Sequence, residues 1–229
     1  MTDEPVFLSL GVRPDDAPYS PDVLARLIVD ADDIIGRYPR SGSALLPLLH
    51  LVQSEDGYIT GSGIAFCADR LGLTSAEVSS VATFYSMYRR EPTGDYFVGV
   101  CTNTLCAVMG GDAIIAALEE HLEIRRGETT ADSSITLEHL ECNAACDYAP
   151  VMMVNWEFFD NRTPESARSL VDSLRSGMPD APTRGAPLCT FRETSRVLAG
   201  FTDPRSDLSQ AGAPTLAGLR VSSESDEGE

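Results

Sequence analysis

Four of the six cysteines fall into two close pairs, Cys101-Thr-Asn-Thr-Leu-Cys106 and Cys142-Asn-Ala-Ala-Cys146, with 35 residues between the inner members. Thiolates four or five positions apart can grip one metal only where the backbone runs as a loop, because a regular strand splays its side chains. Two such loops brought together supply four sulfurs. A cluster of two irons bridged by two sulfides needs that number, since each tetrahedral iron keeps two positions for protein thiolates. The spacing therefore points to an electron-transfer centre. Zinc also takes four thiolates, though its structural loops usually pair cysteines two to four residues apart, so Cys-x4-Cys with Cys-x3-Cys only just fits. A disulfide framework fits poorly, because no signal peptide is visible and the chain is long enough to build a core without staples. A thioredoxin-type redox pair would need Cys-x-x-Cys, which is absent. Spacing alone ranks iron-sulfur first, with zinc and ordinary thiols or disulfides level behind it.

Positioning those loops requires a folded domain, and 229 residues with 43% hydrophobic content predict one or two compact units plus disordered ends. A formal charge of -18 disfavours a nucleic-acid partner, since no cluster of basic residues offsets the repulsion of phosphates. No apolar run reaches membrane-spanning length, which predicts no direct membrane insertion. The N-terminus carries acids where a signal peptide carries basic residues, which predicts a protein that is not exported.

Four stretches follow from the pattern. Residues 1–19 are expected as an extended lead-in. Residues 20–91 are expected as a helical bundle. Its first helix is opened by Ser20-Pro21, carries Leu24, Leu27, Ile28, Ala31, Ile34 and Ile35 on one face, and ends at Tyr38-Pro39. Further helices are expected at about 44–53, with Pro47 in the first turn or kinking it, and at 63–71, stopped by Gly72. Thr74-Ser-Ala-Glu77 is a capping box that starts a fourth. Residues 92–176 change period and predict an α/β layer. It has a strand at 95–100 ending at Cys101, a helix at about 112–122, a strand at 135–140 just before Cys142, strands at 151–154 and 156–159, and a helix from Thr163-Pro164 to about Ser176. In such sheets ligands gather beyond the carboxyl ends of strands, so both cysteine pairs can meet at one edge. Residues 177–229, with five prolines and an acidic finish, are expected as a flexible acidic tail.

Val100-Cys-Thr-Asn-Thr-Leu-Cys106 and Glu141-Cys-Asn-Ala-Ala-Cys-Asp-Tyr-Ala-Pro-Val151, with Ala82-Thr-Phe-Tyr-Ser-Met-Tyr88 upstream, resemble the family of iron-sulfur E subunits of respiratory NADH:quinone oxidoreductase, complex I. The resemblance covers roughly residues 20–176. It implies an α/β chain with an N-terminal helical bundle followed by a thioredoxin-like 2Fe-2S ferredoxin domain. It also implies that Cys101, Cys106, Cys142 and Cys146 hold one 2Fe-2S cluster that carries single electrons, with no catalytic residue of this chain's own. Three positions depart from the family pattern: Leu105 stands where proline is frequent, Ala107 where a bulky aromatic is frequent, and Ala144 where glycine is frequent. Ligand positions are intact.

The resemblance further implies partners. NADH gives up two electrons as hydride and a 2Fe-2S cluster accepts one, so a flavin must intervene. No Gly-x-Gly-x-x-Gly fingerprint or phosphate loop occurs in this sequence, so FMN and NADH are expected on a partner subunit, with the large iron-sulfur subunit and other complex I subunits as further neighbours. The expected place is peripheral, on the cytoplasmic side of the plasma membrane, in a proton-translocating complex. The equivalent diaphorase-type subunit of an NAD-linked hydrogenase or formate dehydrogenase, and an interaction module stabilised by zinc on four cysteines, are the alternatives. Low potential is expected from an acidic chain, opposed by backbone amides of residues 102–107 and 143–147 aimed at sulfur. Cys67 shares a helical face with Ile64 and Leu71 and is expected in the core, as is His50. Cys189 has no partner loop, and His139 is expected on a strand surface. Phe84, Tyr85, Met87 and Tyr88 read equally as core or as a surface for the flavin subunit.

Overall fold

A computed structural model describes residues 17–203 and 205. The chain falls into two compact units, one containing the residues up to Glu91 with Leu198–Gly200, the other running from Pro92 to Val197 and continuing from Phe201. The first 16 residues of the expected lead-in, and residues 206–229 of the expected tail, lie outside the described residues.

The first unit is a helical bundle. Helix α1 (Pro21–Ile35) starts where the Ser20 side chain accepts the Val23 amide and Pro21 takes a position that needs no amide donor. Of its apolar face, Leu27, Ala31 and Ile34 are buried, and Leu24 is exposed. A 3-10 turn at Ser41–Ala44 leads into α2 (Leu45–Asp56), whose buried run Leu48 to Gln53 makes it the centre of the bundle. Pro47 lies in its first turn, where no helical bond is lost, and Gly57 ends it in the left-handed region. Helix α3 (Gly61–Leu71) is capped by Thr60 and stopped by Gly72, and α4 (Ser75–Phe84) opens on the Thr74–Glu77 capping box. Cys67 is fully buried in α3, and burial pushes its thiol up to about 12. The aromatic group after α4 divides. Tyr88 is core and donates its hydroxyl to the Leu46 carbonyl at 2.9 Å, whereas Phe84 and Tyr85 are exposed.

His50 is buried against the Tyr88 ring at 4.8 Å, and its Nδ1 has no hydrogen-bond partner among the described residues. Burial disfavours the charged ring and lowers its pKa from 6.5 to about 4. The unfolded chain therefore binds the proton more tightly. Above pH 6.5 the imidazole is neutral in both states; as pH falls from 6.5 towards 4 the fold loses up to about 3 kcal/mol, and below that the loss levels off. Urea unfolding of the full chain at pH 7, 5 and 4 should show this component in the native sequence and lack it in His50→Leu.

The second unit is built on a four-stranded sheet of order β2-β1-β3-β4. Strand β1 (Tyr96–Cys101) is followed by α5 (Thr104–Val108) and α6 (Gly111–Leu122), then β2 (Ile135–Leu140), β3 (Met152–Val154), β4 (Glu157–Phe159) and α7 (Pro164–Arg175). Strands β1 and β2 are parallel with Cys101 opposite Leu140, and β3 runs antiparallel to β1 with Met152 opposite Val100. That register brings the carboxyl ends of β1 and β2 and the entry to β3 to one end of the sheet. Helices α6 and α7 cover one face through Ile114, Leu118, Leu170 and Leu174, packed on Val98, Leu137 and Val154.

The expectation of a flexible tail from residue 177 is corrected by the structure over residues 177–203. Helix α8 (Phe191–Leu198) follows a Thr190–Glu193 capping box and buries Phe191 with Phe97, Leu140 and Met153 on the sheet's other face. Asn155, 1% exposed, ties the stretch down: its amide nitrogen donates to the Asp95 and Cys189 carbonyls, and its oxygen accepts the Phe97 amide. One well-placed phenylalanine and a buried amide outweigh the flanking prolines.

Candidate metal centre

All four cysteines lie at the convergent end of the sheet. Cys101 is the last residue of β1 and Cys106 sits inside α5, so the first pair spans a strand end and a one-turn helix, not the plain loop expected from spacing. Asn103 makes this possible. Its side-chain oxygen accepts the Thr104 amide at 2.9 Å and its carbonyl accepts the Ala107 amide at 2.9 Å, which starts a helix within two residues of the strand. Cys142 follows β2, and Cys146 opens a 3-10 turn, Cys146–Tyr148. The next peptide, Ala149–Pro150, is cis.

The two pairs differ in exposure. Cys101 and Cys106 are buried at 2% and 3%, packed with Ala145, Ala149 and Val151, while Cys142 and Cys146 are exposed. The Cys142 and Cys146 sulfurs stand 3.9 Å apart. Thiolates sharing one tetrahedral metal at about 2.3 Å stand about 3.8 Å apart, so this pair already has the span of a single metal's edge. Burial, and the nearby Cys101 and Cys146 sulfurs, push the Cys106 thiol up to about 11, partly offset by the Val151 amide. Cys146 is raised by Cys142 beside it. Any metal bound here would have to displace the protons of these thiols.

Donors around the sulfurs differ from the expectation for the first loop. Amides of Thr102, Thr104 and Ala107 are spent on the Leu140 carbonyl, the Asn103 side chain and the Asn103 carbonyl, none of them sulfur. The Val151 amide, outside both loops, serves Cys106 instead. In the second loop the Ala144 amide donates to Cys142 sulfur at 3.3 Å, from a backbone with φ of 53°. Ala144 thus holds the left-handed turn that glycine favours. The Asn143 side-chain nitrogen is buried with no acceptor among the described residues, as fits a donor whose acceptor belongs to a bound group. Soft thiolates, a 3.9 Å sulfur edge and donors directed at sulfur fit an iron-sulfur cluster.

Sequence reasoning missed Gly111. A Cβ built there would lie 2.4 Å from the Cys101 carbonyl oxygen and 2.9 Å from that of Cys106, so α6 can begin beneath the cysteine loop only without a side chain. The adjacent Gly110-Gly111 was the visible signal. His139 is exposed beside Glu138, and Cys189 is half-buried with its sulfur 3.2 Å from the Thr194 hydroxyl.

Residues 31–175 match the family model described as thioredoxin-like [2Fe-2S] ferredoxin. The E subunit of NADH-quinone oxidoreductase from Mycobacterium tuberculosis is 68% identical, over 97% of this chain and 93% of its own length. The corresponding E subunit from Rickettsia bellii is 38% identical over 64% of this chain and 89% of its own. A solved NAD+-reducing [NiFe]-hydrogenase matches in fold alone, with a TM-score of 0.53 and 21% identity over 59% of this chain and 23% of the hydrogenase chain. The chain belongs to the thioredoxin-like [2Fe-2S] ferredoxin family, among the E subunits of NADH-quinone oxidoreductase.

Proposed function

We propose that Cys101, Cys106, Cys142 and Cys146 hold one [2Fe-2S] cluster and that the chain works as a one-electron carrier beside the flavin of a partner subunit. The observation that carries the reading is the gathering of both cysteine pairs at one end of the sheet, with one pair already 3.9 Å apart. When bound, the cluster supplies reversible one-electron chemistry with no bond made or broken on substrate. The chain's residues set its surroundings. Amides of Ala144 and Val151 stabilise negative sulfur and raise the potential, whereas the formal charge of -18 lowers it. Buried Cys101 and Cys106 anchor the site to the core, and the exposed Cys142–Cys146 loop offers the side on which a partner's redox group approaches.

Identity of 68% over nearly the whole chain favours the NADH-quinone oxidoreductase assembly over the hydrogenase setting, to which only the fold corresponds. FMN and NADH then belong to a partner subunit, with the large iron-sulfur subunit as a further neighbour. No helix among the described residues is long and apolar enough to cross a membrane. A peripheral position on the cytoplasmic side of the membrane is part of the same reading.

Division of labour is testable. The purified, loaded chain mixed anaerobically with NADH should stay oxidised for many minutes and bleach on addition of dithionite. Rapid bleaching by NADH alone would contradict the assignment of the flavin and nucleotide sites to another subunit.

A further inference from the structure

Past residue 175, where the family match ends, the chain returns to the cysteine end of the sheet. The Thr183 amide donates to the Phe158 carbonyl at 2.8 Å, the Asp160 amide donates to the Thr183 hydroxyl at 3.1 Å, and Arg184 bridges Phe158, so this segment covers the outer edge of β4. The Arg184 guanidinium lies 2.9 Å from Asp160 Oδ1, with the two side chains only 17% and 8% exposed. It stacks over two rings, with its carbon 4.4 Å from the Phe158 centroid and 5.5 Å from that of Tyr148. Both rings belong to the metal site. Phe158 packs on the group containing Cys101, Cys106, Ala145 and Ala149, and Tyr148 closes the turn that Cys146 opens. That turn is tied back to the strand region by the Asn161 amide on the Tyr148 carbonyl at 2.9 Å.

We propose that Arg184 is a positioning residue for the metal centre, clamping the exposed Cys146–Tyr148 turn against the buried side of the site. The inference rests on the four-cysteine reading above. The need for a clamp is physical. Cys142 and Cys146 are exposed, and the residue between them that donates to sulfur, Ala144, sits in a backbone region that alanine disfavours, so the loop's own preferences do not hold it closed. A planar guanidinium suits the task, since it can pair with a carboxylate at its edge while its faces meet aromatic rings.

The test uses the full chain. Arg184→Met combined with Asp160→Asn removes both charges, so no carboxylate is left buried and alone. Arg184→Lys keeps the charge without the flat face. Arg175→Ala, which breaks a more exposed pair with Asp132, is the comparison. In the metal-free chain the double variant should exchange the Asn161 amide about tenfold faster. In the loaded chain it should surrender iron to a chelator about tenfold faster, with an altered visible circular dichroism, which reports ligand geometry. Arg184→Lys should fall between, and Arg175→Ala should match the native chain. Native exchange, iron loss and dichroism in the double variant, or equal acceleration in Arg175→Ala, would overturn the proposal. A native chain without iron would instead count against the four-cysteine reading, while exchange at Asn161 would still decide the role of Arg184.

Discussion

Cys146→Ala should abolish the visible absorption of the oxidised chain while leaving its fold intact. Cys146 is exposed, so shortening it removes little packing, and surface changes of this kind usually shift stability by less than about 0.5 kcal/mol. Loss of colour would then report loss of a metal ligand and not loss of structure. Cys101→Ala should bleach the chain equally, but at an added cost in stability, because that side chain is 2% exposed and packs with Cys106 and Val151. Absorption spectra read beside thermal unfolding curves separate the two effects. Full-intensity spectra in both variants would remove these sulfurs from the ligand set.

Gly111→Ala is expected to damage the site without touching a sulfur. The added methyl would overlap two carbonyl oxygens, those of Cys101 and Cys106, and main-chain atoms cannot swing aside as a flexible side chain can. Either α6 lifts or the cysteine loop shifts. Overpacking of this kind costs about 1–3 kcal/mol, and here the strain falls on Cys101 and Cys106, the two buried cysteines of the proposed ligand set, so iron content should drop severalfold along with stability. Gly110→Ala is the matched control. Its added carbon meets nothing within 4 Å, although its φ of 115° strains a side-chain-bearing residue, so it should lose stability and keep iron. Iron per chain, measured in both variants, distinguishes crowding at the site from general strain.

Local signals explain why much of this architecture could be read in the chain. Ser20-Pro21, Thr74 with Glu77, and Thr163-Pro164 each place a hydroxyl over the first free amides of a helix, and each begins a helix where expected. The second unit's strands showed as apolar runs, and the thiol pairs stood at their ends because a parallel β1–β2 register carries both ends to the same side. What escaped notice depends on contacts between distant residues. Helix α5 is five residues long, too short to show a period, and it forms because Asn103 caps it. The Val151 amide reaches Cys106 only after β3 has folded back along β1. Helix α8 carried a readable start at Thr190-Phe-Arg-Glu193, yet nearby prolines suggested a tail, and only the sheet face presented by Phe97 and Met153 gives Phe191 somewhere to go. Arg184 lacked any such mark, since its partners Tyr148, Phe158 and Asp160 are 24 or more residues away in sequence.

Quantifying iron and acid-labile sulfide in the anaerobically purified full chain addresses the central claim most directly. About two irons and two sulfides per chain, with a paramagnetic signal appearing after dithionite, are expected. A colourless preparation containing zinc, or one with neither iron nor sulfide, would contradict it.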